Sequence, residues 1–271
     1  MKRAVFHFSI KDVAPYIDWS YFFHAWGINP KGKQSTVADE LRNDTNAMLM
    51  ELEERYCTHA LFALCDSRSD GDNIIIEGRT LPLLRQQHYN KDKPNLCLSD
   101  FVSPQNDRIG LFATSVDKNF GAEYSGNDYM RIMAQALADR LAEATASLLH
   151  QMVRTRSELW GYAPDERLNI EQLNREEYQG IRPAIGYPSL PDQSIIFTIN
   201  DILKMQDVGI EITSNGAMAP HASVCGLMIA HPAARYFAVG NISEEQLEDY
   251  SVRCGRDVEE IRRFLQRNLK E

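Results

Sequence analysis

The residues Arg182-Pro183-Ala184-Ile185-Gly186-Tyr187-Pro188-Ser189-Leu190-Pro191-Asp192 combine an arginine, a Gly-Tyr pair and three prolines. A guanidinium can take a carboxylate in a two-pronged grip. A glycine lets a ligand approach the backbone closely, and Tyr187 sets a flat ring beside it. Prolines fix φ, donate no backbone hydrogen bond and push the preceding residue toward extended geometry. The expectation is a stiff extended ribbon with free carbonyls, neither helix nor central strand. Two readings stay open here: a ligand-gripping edge, or a surface connector that the prolines only stiffen.

Three carboxylates also stand out. Asp18 sits in Pro15–Gly27, the densest aromatic stretch of the chain. A carboxylate in so apolar a setting must be paired or hydrogen-bonded, or it caps a helix that begins at Trp19. The aromatics around it fit a core plug anchoring the N-terminus. Asp139 and Glu143 are four apart in a helical pattern and so share a face. That face is either solvated or turned toward a ligand.

The elements that must carry these residues follow from periodicity. Residues 4–10 read as a short strand or extended arm, 28–35 as a polar loop and 36–56 as a helix. Residues 58–65 and 73–77 read as paired strands joined by a turn over 66–72. A short strand or turn is expected near 96–101, and a strand over 109–116. Apolar residues at Met130, Met133, Leu137, Leu141, Ala144, Leu148 and Met152 predict a helix over 126–157. A short helix over 170–178 leads into the ribbon. Beyond it, a strand over 194–198, a helix over 199–206 and strands near 209–214, 222–230 and 235–240 are expected, with His231-Pro232-Ala233-Ala234 as a hairpin turn. Ser243 and Gln246 have capping-box spacing, opening a helix that stops at Gly255, and a last helix covers 257–269. Strands and helices do not alternate as in a parallel sheet, so the expected class is α+β: a twisted antiparallel sheet with flanking helices. A single domain, 1–271, is expected, with a mainly helical part over 1–57 and the sheet and ligand-binding part over 58–271.

The chain has 271 residues, a net charge of -9 and five cysteines without C-x-x-C spacing. The acidic balance disfavours nucleic acid. The cysteine pattern argues against a disulfide framework or zinc site and fits a reducing cytoplasm. No apolar run is long enough to span a membrane, and no signal peptide is read at the start. G-x-G-x-x-G, P-loop, G-x-S-x-G and H-E-x-x-H patterns are all absent.

Several blocks together carry a resemblance. They are Pro94–Val102, Ala136–Ala144 (ALADRLAEA), Trp160-Gly161-Tyr162-Ala163-Pro164, Tyr178-Gln179-Gly180-Ile181-Arg182-Pro183-Ala184 with Gly186-Tyr187-Pro188, Ala222-Ser223-Val224 with Gly226, and His231-Pro232. In this order, from Tyr16-Ile17-Asp18-Trp19 to the last helix, the chain resembles the activation domain of cobalamin-dependent methionine synthase. That resemblance implies binding of S-adenosylmethionine and its presentation to cob(II)alamin carried by a partner module, for reductive methylation in methionine biosynthesis. The electron donor it implies is a flavodoxin or a flavoprotein reductase. By motif, Arg182 would grip the methionine carboxylate and Asp18 the ammonium. The Ala184 and Gly186 backbone would meet the ligand, and Tyr187 would stand between sulfonium and corrin. Glu143 would lie near the pocket with Asp139 a turn away toward the corrin, while Tyr236 and Phe237 would close the adenosine side. The chain departs from the family pattern at Gln193, Ser214-Asn215, Ala219 and Leu227-Met228-Ile229. Homocysteine, folate and cobalamin modules do not fit in this length, so the chain is either an excised domain or a free-standing activation protein acting in trans; the start at Met1 with an ordinary N-terminal segment favours the second as the expectation. Two other readings are a non-catalytic sensor or chaperone binding S-adenosylmethionine or the cobalamin protein, and service to another corrinoid methyltransferase.

Overall fold

The computed structural model describes residues 1–29, 35–87 and 93–269; much of the loop expected over 28–35 lies outside them. The strands are β1 (Lys2–Ser9), β2 (Cys57–Asp70), β3 (Asn73–Ile76), β4 (Arg79–Pro82), β5 (Asp107–Val116), β6 (Glu211–Ile212), β7 (Met218–Ala219) and β8 (Ser223–Met228). The α-helices are α1 (Ile10–Val13), α2 (Trp19–Ala25), α3 (Ser35–Leu52), α4 (Asp128–Thr155), α5 (Ile170–Asn174), α6 (Ile195–Leu203), α7 (Glu244–Cys254) and α8 (Val258–Phe264). The main sheet is antiparallel throughout, ordered β4-β3-β2-β5-β8, with β1 also paired to β2. The class is α+β.

Alternation along the central strands buries both faces of the sheet. Ala60, Phe62, Leu64 and Phe112 pack with α4 and the N-terminal helices. Leu61, Ala63, Cys65, Leu111 and Ala113 face the other way, onto α6 and the turn at Leu98–Phe101. Helix α4 starts where the Asn127 side chain accepts from Met130 N. Its spine carries many alanines, which let it lie close to the sheet.

Several expectations are corrected. Residues 194–198 are not a strand but the start of α6. The β-branched run misleads, because the buried residues Ile195, Ile196, Ile199, Ile202 and Leu203 are spaced as one helical stripe. The polar stretch 66–72 is not a long turn: β2 continues to Asp70, and only Gly71 and Asp72 turn. A second hairpin, β3–β4, turns at Glu77 and Gly78, both with positive φ. Residues 235–240 form no strand; this segment docks on the ribbon, with Val239 N donating to Pro188 O at 2.9 Å. The capping box at Ser243 is half made. Ser243 accepts from Gln246 N, but the Gln246 amide turns inward to donate to Arg85 O at 2.8 Å.

The ribbon also differs from expectation, since its carbonyls are not free. It lies along the open edge of β8 with bridges Ile181↔Ile229 and Ala184↔Gly226. Ile185 N donates to Cys225 O and Leu227 N to Pro183 O. The prolines sit where no donor is needed, as at a sheet edge.

Candidate functional site

Where the ribbon leaves β8 it walls a cavity of about 590 Å³, within the range of small-molecule sites. Helix α4 supplies Arg140, Glu143, Ala144 and Ser147. These positions recur at three- and four-residue steps and so form one face. The ribbon supplies Arg182, Ala184 and Tyr187 among others, the N-terminal segment Tyr16, Asp18 and Tyr21, and the docked strap Tyr236 and Phe237. Leu173, Asn174 and Glu176, at and beyond the end of α5, complete the wall.

The ribbon holds its shape through local and distant bonds. Gly186, at φ +84°, allows a tight reversal in which Gly186 N donates to Leu190 O at 2.8 Å. Ser189 Oγ donates to Phe237 O and accepts from Phe237 N, tying ribbon to strap. At the far end Asp192 is buried and accepts from Ser194 N, Ser194 Oγ and Tyr250 Oη at 2.7–2.8 Å. Burial pushes its carboxyl up, while these donors pull it down.

Arg182 is placed by three bonds. Its backbone N donates to Tyr236 Oη at 2.9 Å. Nη1 donates to Tyr178 Oη and Nη2 to Ser147 Oγ, both at 2.8 Å. No carboxylate among the described residues pairs with this guanidinium within 4 Å, and Arg140 likewise has no ion pair among them. Around them stand the carboxylates of Asp18, Glu143 and Glu176. Asp18 caps α2, accepting from Ser20 N at 2.9 Å, and also faces the cavity. Tyr187 Oη donates to Glu143 Oε1. Burial, then the Glu143 charge, raises the Tyr187 phenol; burial raises that of Tyr236 against the pull of Arg182. Burial also raises the Glu176 carboxyl, with Arg182 opposing. The site thus combines available guanidinium donors, carboxylates and phenols that stay protonated at neutral pH.

The cavity gathers Asp18, Glu143, Arg182, Ala184, Tyr187, Tyr236 and Phe237. Gly186 and Asp139 fall outside the lining. Gly186 shapes the reversal, and Asp139 Oδ1 lies 3.3 Å from Nδ1 of exposed His221. Sequence reasoning missed Tyr16, Tyr21, Arg140, Ser147 and Glu176. Arg140 and Ser147 were findable, three before and four after Glu143 on the predicted helix; Glu176 carried no signal. The family departures Gln193, Ser214, Asn215, Ala219 and Leu227 do not line the cavity.

The sequence profile for the activation domain of vitamin B12 dependent methionine synthase matches residues 9–255. The crystal structure of the MetH reactivation domain bound to AdoHcy is similar over 100% of this chain and 91% of that chain. The TM-score is 0.93 and the sequence identity 36%. The chain therefore belongs to the activation-domain family of vitamin B12 dependent methionine synthase.

Proposed function

We propose that the cavity binds S-adenosylmethionine and presents its methyl group to cob(II)alamin carried by a methionine synthase partner, restoring that cofactor by reductive methylation. The observation that carries this reading is Arg182: a guanidinium in a cavity wall, held by hydroxyl groups, with no carboxylate of its own among the described residues. It matches the α-carboxylate of an amino acid. Asp18 offers the complementary charge for the α-ammonium, and Glu143 with Tyr187 an anionic and aromatic setting for a sulfonium. Ala184 and the Tyr236-Phe237 strap border the adenosine side. Gly186 holds the reversal that presents Tyr187, and Asp139 lies one turn from Glu143 on the corrin side. The similar reactivation domain binds AdoHcy, the demethylated form of the same ligand.

The methyl carbon would be attacked by the electron pair of the partner's corrinoid, once that is reduced by one electron from a flavodoxin or flavoprotein reductase, and the sulfur would depart as a neutral thioether. The chain's own residues need supply no acid or base. They hold the donor in line and keep water away. The cavity draws on residues from Tyr16 to Phe237, which supports a single working unit across that span.

The test mixes this chain with S-adenosylmethionine, a low-potential electron donor and the partner's cob(II)alamin. Methylcobalamin absorbance should grow, and no growth refutes the reading. In titration calorimetry Arg182→Ala should weaken S-adenosylmethionine binding by about 2 kcal/mol, the worth of a charge-assisted pair. Unchanged affinity removes Arg182 from its role.

A further inference from the structure

Behind Arg182 lies a second arginine that does not line the cavity. Arg154, on α4, is fully buried. Its Nε donates to Glu166 Oε1 at 2.6 Å, and Glu166 Oε2 accepts from Gln179 N. Its guanidinium lies over the Tyr178 ring, 4.5 Å from the centroid. His150 meets the same ring edge-on at 5.0 Å, and its Nε2 is 2.8 Å from Tyr162 Oη. Tyr178 is therefore clamped by a cation and an imidazole, and its hydroxyl is the one that receives Arg182 Nη1. Among the described residues Arg154 Nη2 and His150 Nδ1 have no hydrogen-bond partner. A buried ion pair with unsatisfied donors is poor value as a stabiliser, since an apolar replacement of similar volume is often as stable. Its geometry is suited instead to fixing the ring it stacks on.

We propose that Arg154, paired with Glu166, is a positioning residue for Arg182. It fixes the Tyr178 phenol, and that phenol fixes the Arg182 guanidinium before the ligand arrives. Of the five N–H groups of a guanidinium, one goes to Tyr178 and one to Ser147. The others stay available for the α-carboxylate of the ligand. A carboxylate then meets a preset fork and little side-chain entropy is lost on binding. This inference rests on the S-adenosylmethionine reading above.

The test compares S-adenosylmethionine with its decarboxylated analogue by titration calorimetry on the full chain. The variants are Arg154→Met and Tyr178→Phe, the second keeping the ring and its packing while removing only the hydroxyl. Each variant should bind S-adenosylmethionine about tenfold more weakly, as expected for a lost charge-assisted contact. Each should bind the decarboxylated analogue as the wild type does. Should Arg154→Met fail to fold, Arg154→Lys takes its place, keeping the charge while losing the planar guanidinium that stacks on Tyr178. Equal losses for both ligands would reveal general structural damage and overturn the positioning role; so would no loss for either. A wild type that does not bind S-adenosylmethionine overturns the functional reading along with it, whereas a binding wild type with unaffected variants overturns only the role of Arg154.

Discussion

Gly226→Ala tests the seat of the ribbon. A Cβ at this position would lie 2.2 Å from Pro183 O, 2.8 Å from Ala184 Cα and 3.0 Å from the Phe112 ring. The first two are backbone atoms and cannot rotate away, so the ribbon must lift from β8. Overpacking of this kind costs about 1–3 kcal/mol. Lifting also strains the bonds from Ile185 N to Cys225 O and from Leu227 N to Pro183 O, each worth about 1 kcal/mol. The expected loss is about 3 kcal/mol. At about 2–4 °C per kcal/mol for a chain of this size, the Tm should fall by roughly 6–12 °C. Arg182 and Tyr187 flank the lifted residues, so S-adenosylmethionine affinity should fall by at least about tenfold, because small misplacements of a gripping group are costly. Differential scanning calorimetry reads the first quantity and titration calorimetry the second. Wild-type values for both would mean that the ribbon is not seated on β8, and the cavity described here would lose its wall.

Two further predictions concern the groups that brace this wall. Burial, then the charges of Arg154 and Arg182, hold the His150 imidazole well below its ordinary value of 6.5. The unfolded chain takes up this proton near pH 6.5 and the folded chain does not, so the contribution to stability is whole above that pH and is lost as pH falls below it, by about 1.4 kcal/mol per unit. Chemical denaturation at pH 7 and pH 5.5 should show a shallower decline for His150→Gln, which can still bond to Tyr162, than for wild type; equal slopes would contradict a neutral buried imidazole. Tyr250→Phe removes a donor from buried Asp192 and should lower unfolding free energy by about 1–3 kcal/mol in urea titration, whereas an unchanged midpoint would show that the ribbon's far end is not anchored there.

What could be read in the sequence was whatever depends on neighbours along the chain. Helix α4 announced itself through apolar steps of three and four, and the same spacing places Glu143 on a face with Arg140 and Ser147. The strands β2, β5 and β8 carry runs of apolar residues that need no partner to be identified. The ribbon's stiffness followed from proline alone. What failed was decided at a distance. The isoleucines of α6 look like a strand until the spacing of the buried ones is known. Residues 235–240 are apolar enough for a strand, but β8's free edge is already taken by the ribbon, so this stretch can only dock. The extension of β2 through polar Asp66–Asp70 is set by its pairing with β3, not by its own composition.

The same distinction governs Arg182. In the proposed function it grips a carboxylate, but a free arginine on a loop would hold many rotamers and surrender that freedom on binding. Here the phenol that fixes it belongs to Tyr178, the ring under the phenol is held by Arg154, and Arg154 is held by Glu166. Each link joins a different segment: the ribbon, its approach, α4 and the loop after α4. At the cavity mouth the character reverses, since Tyr21 and Tyr187 stand 65% and 49% exposed. A donor gripped rigidly at its amino-acid end and bordered by open aromatic rings can be offered to a large planar partner without being released. The proposed methyl transfer asks for alignment rather than proton transfer, so rigidity behind Arg182 and openness around Tyr187 both serve that one reaction.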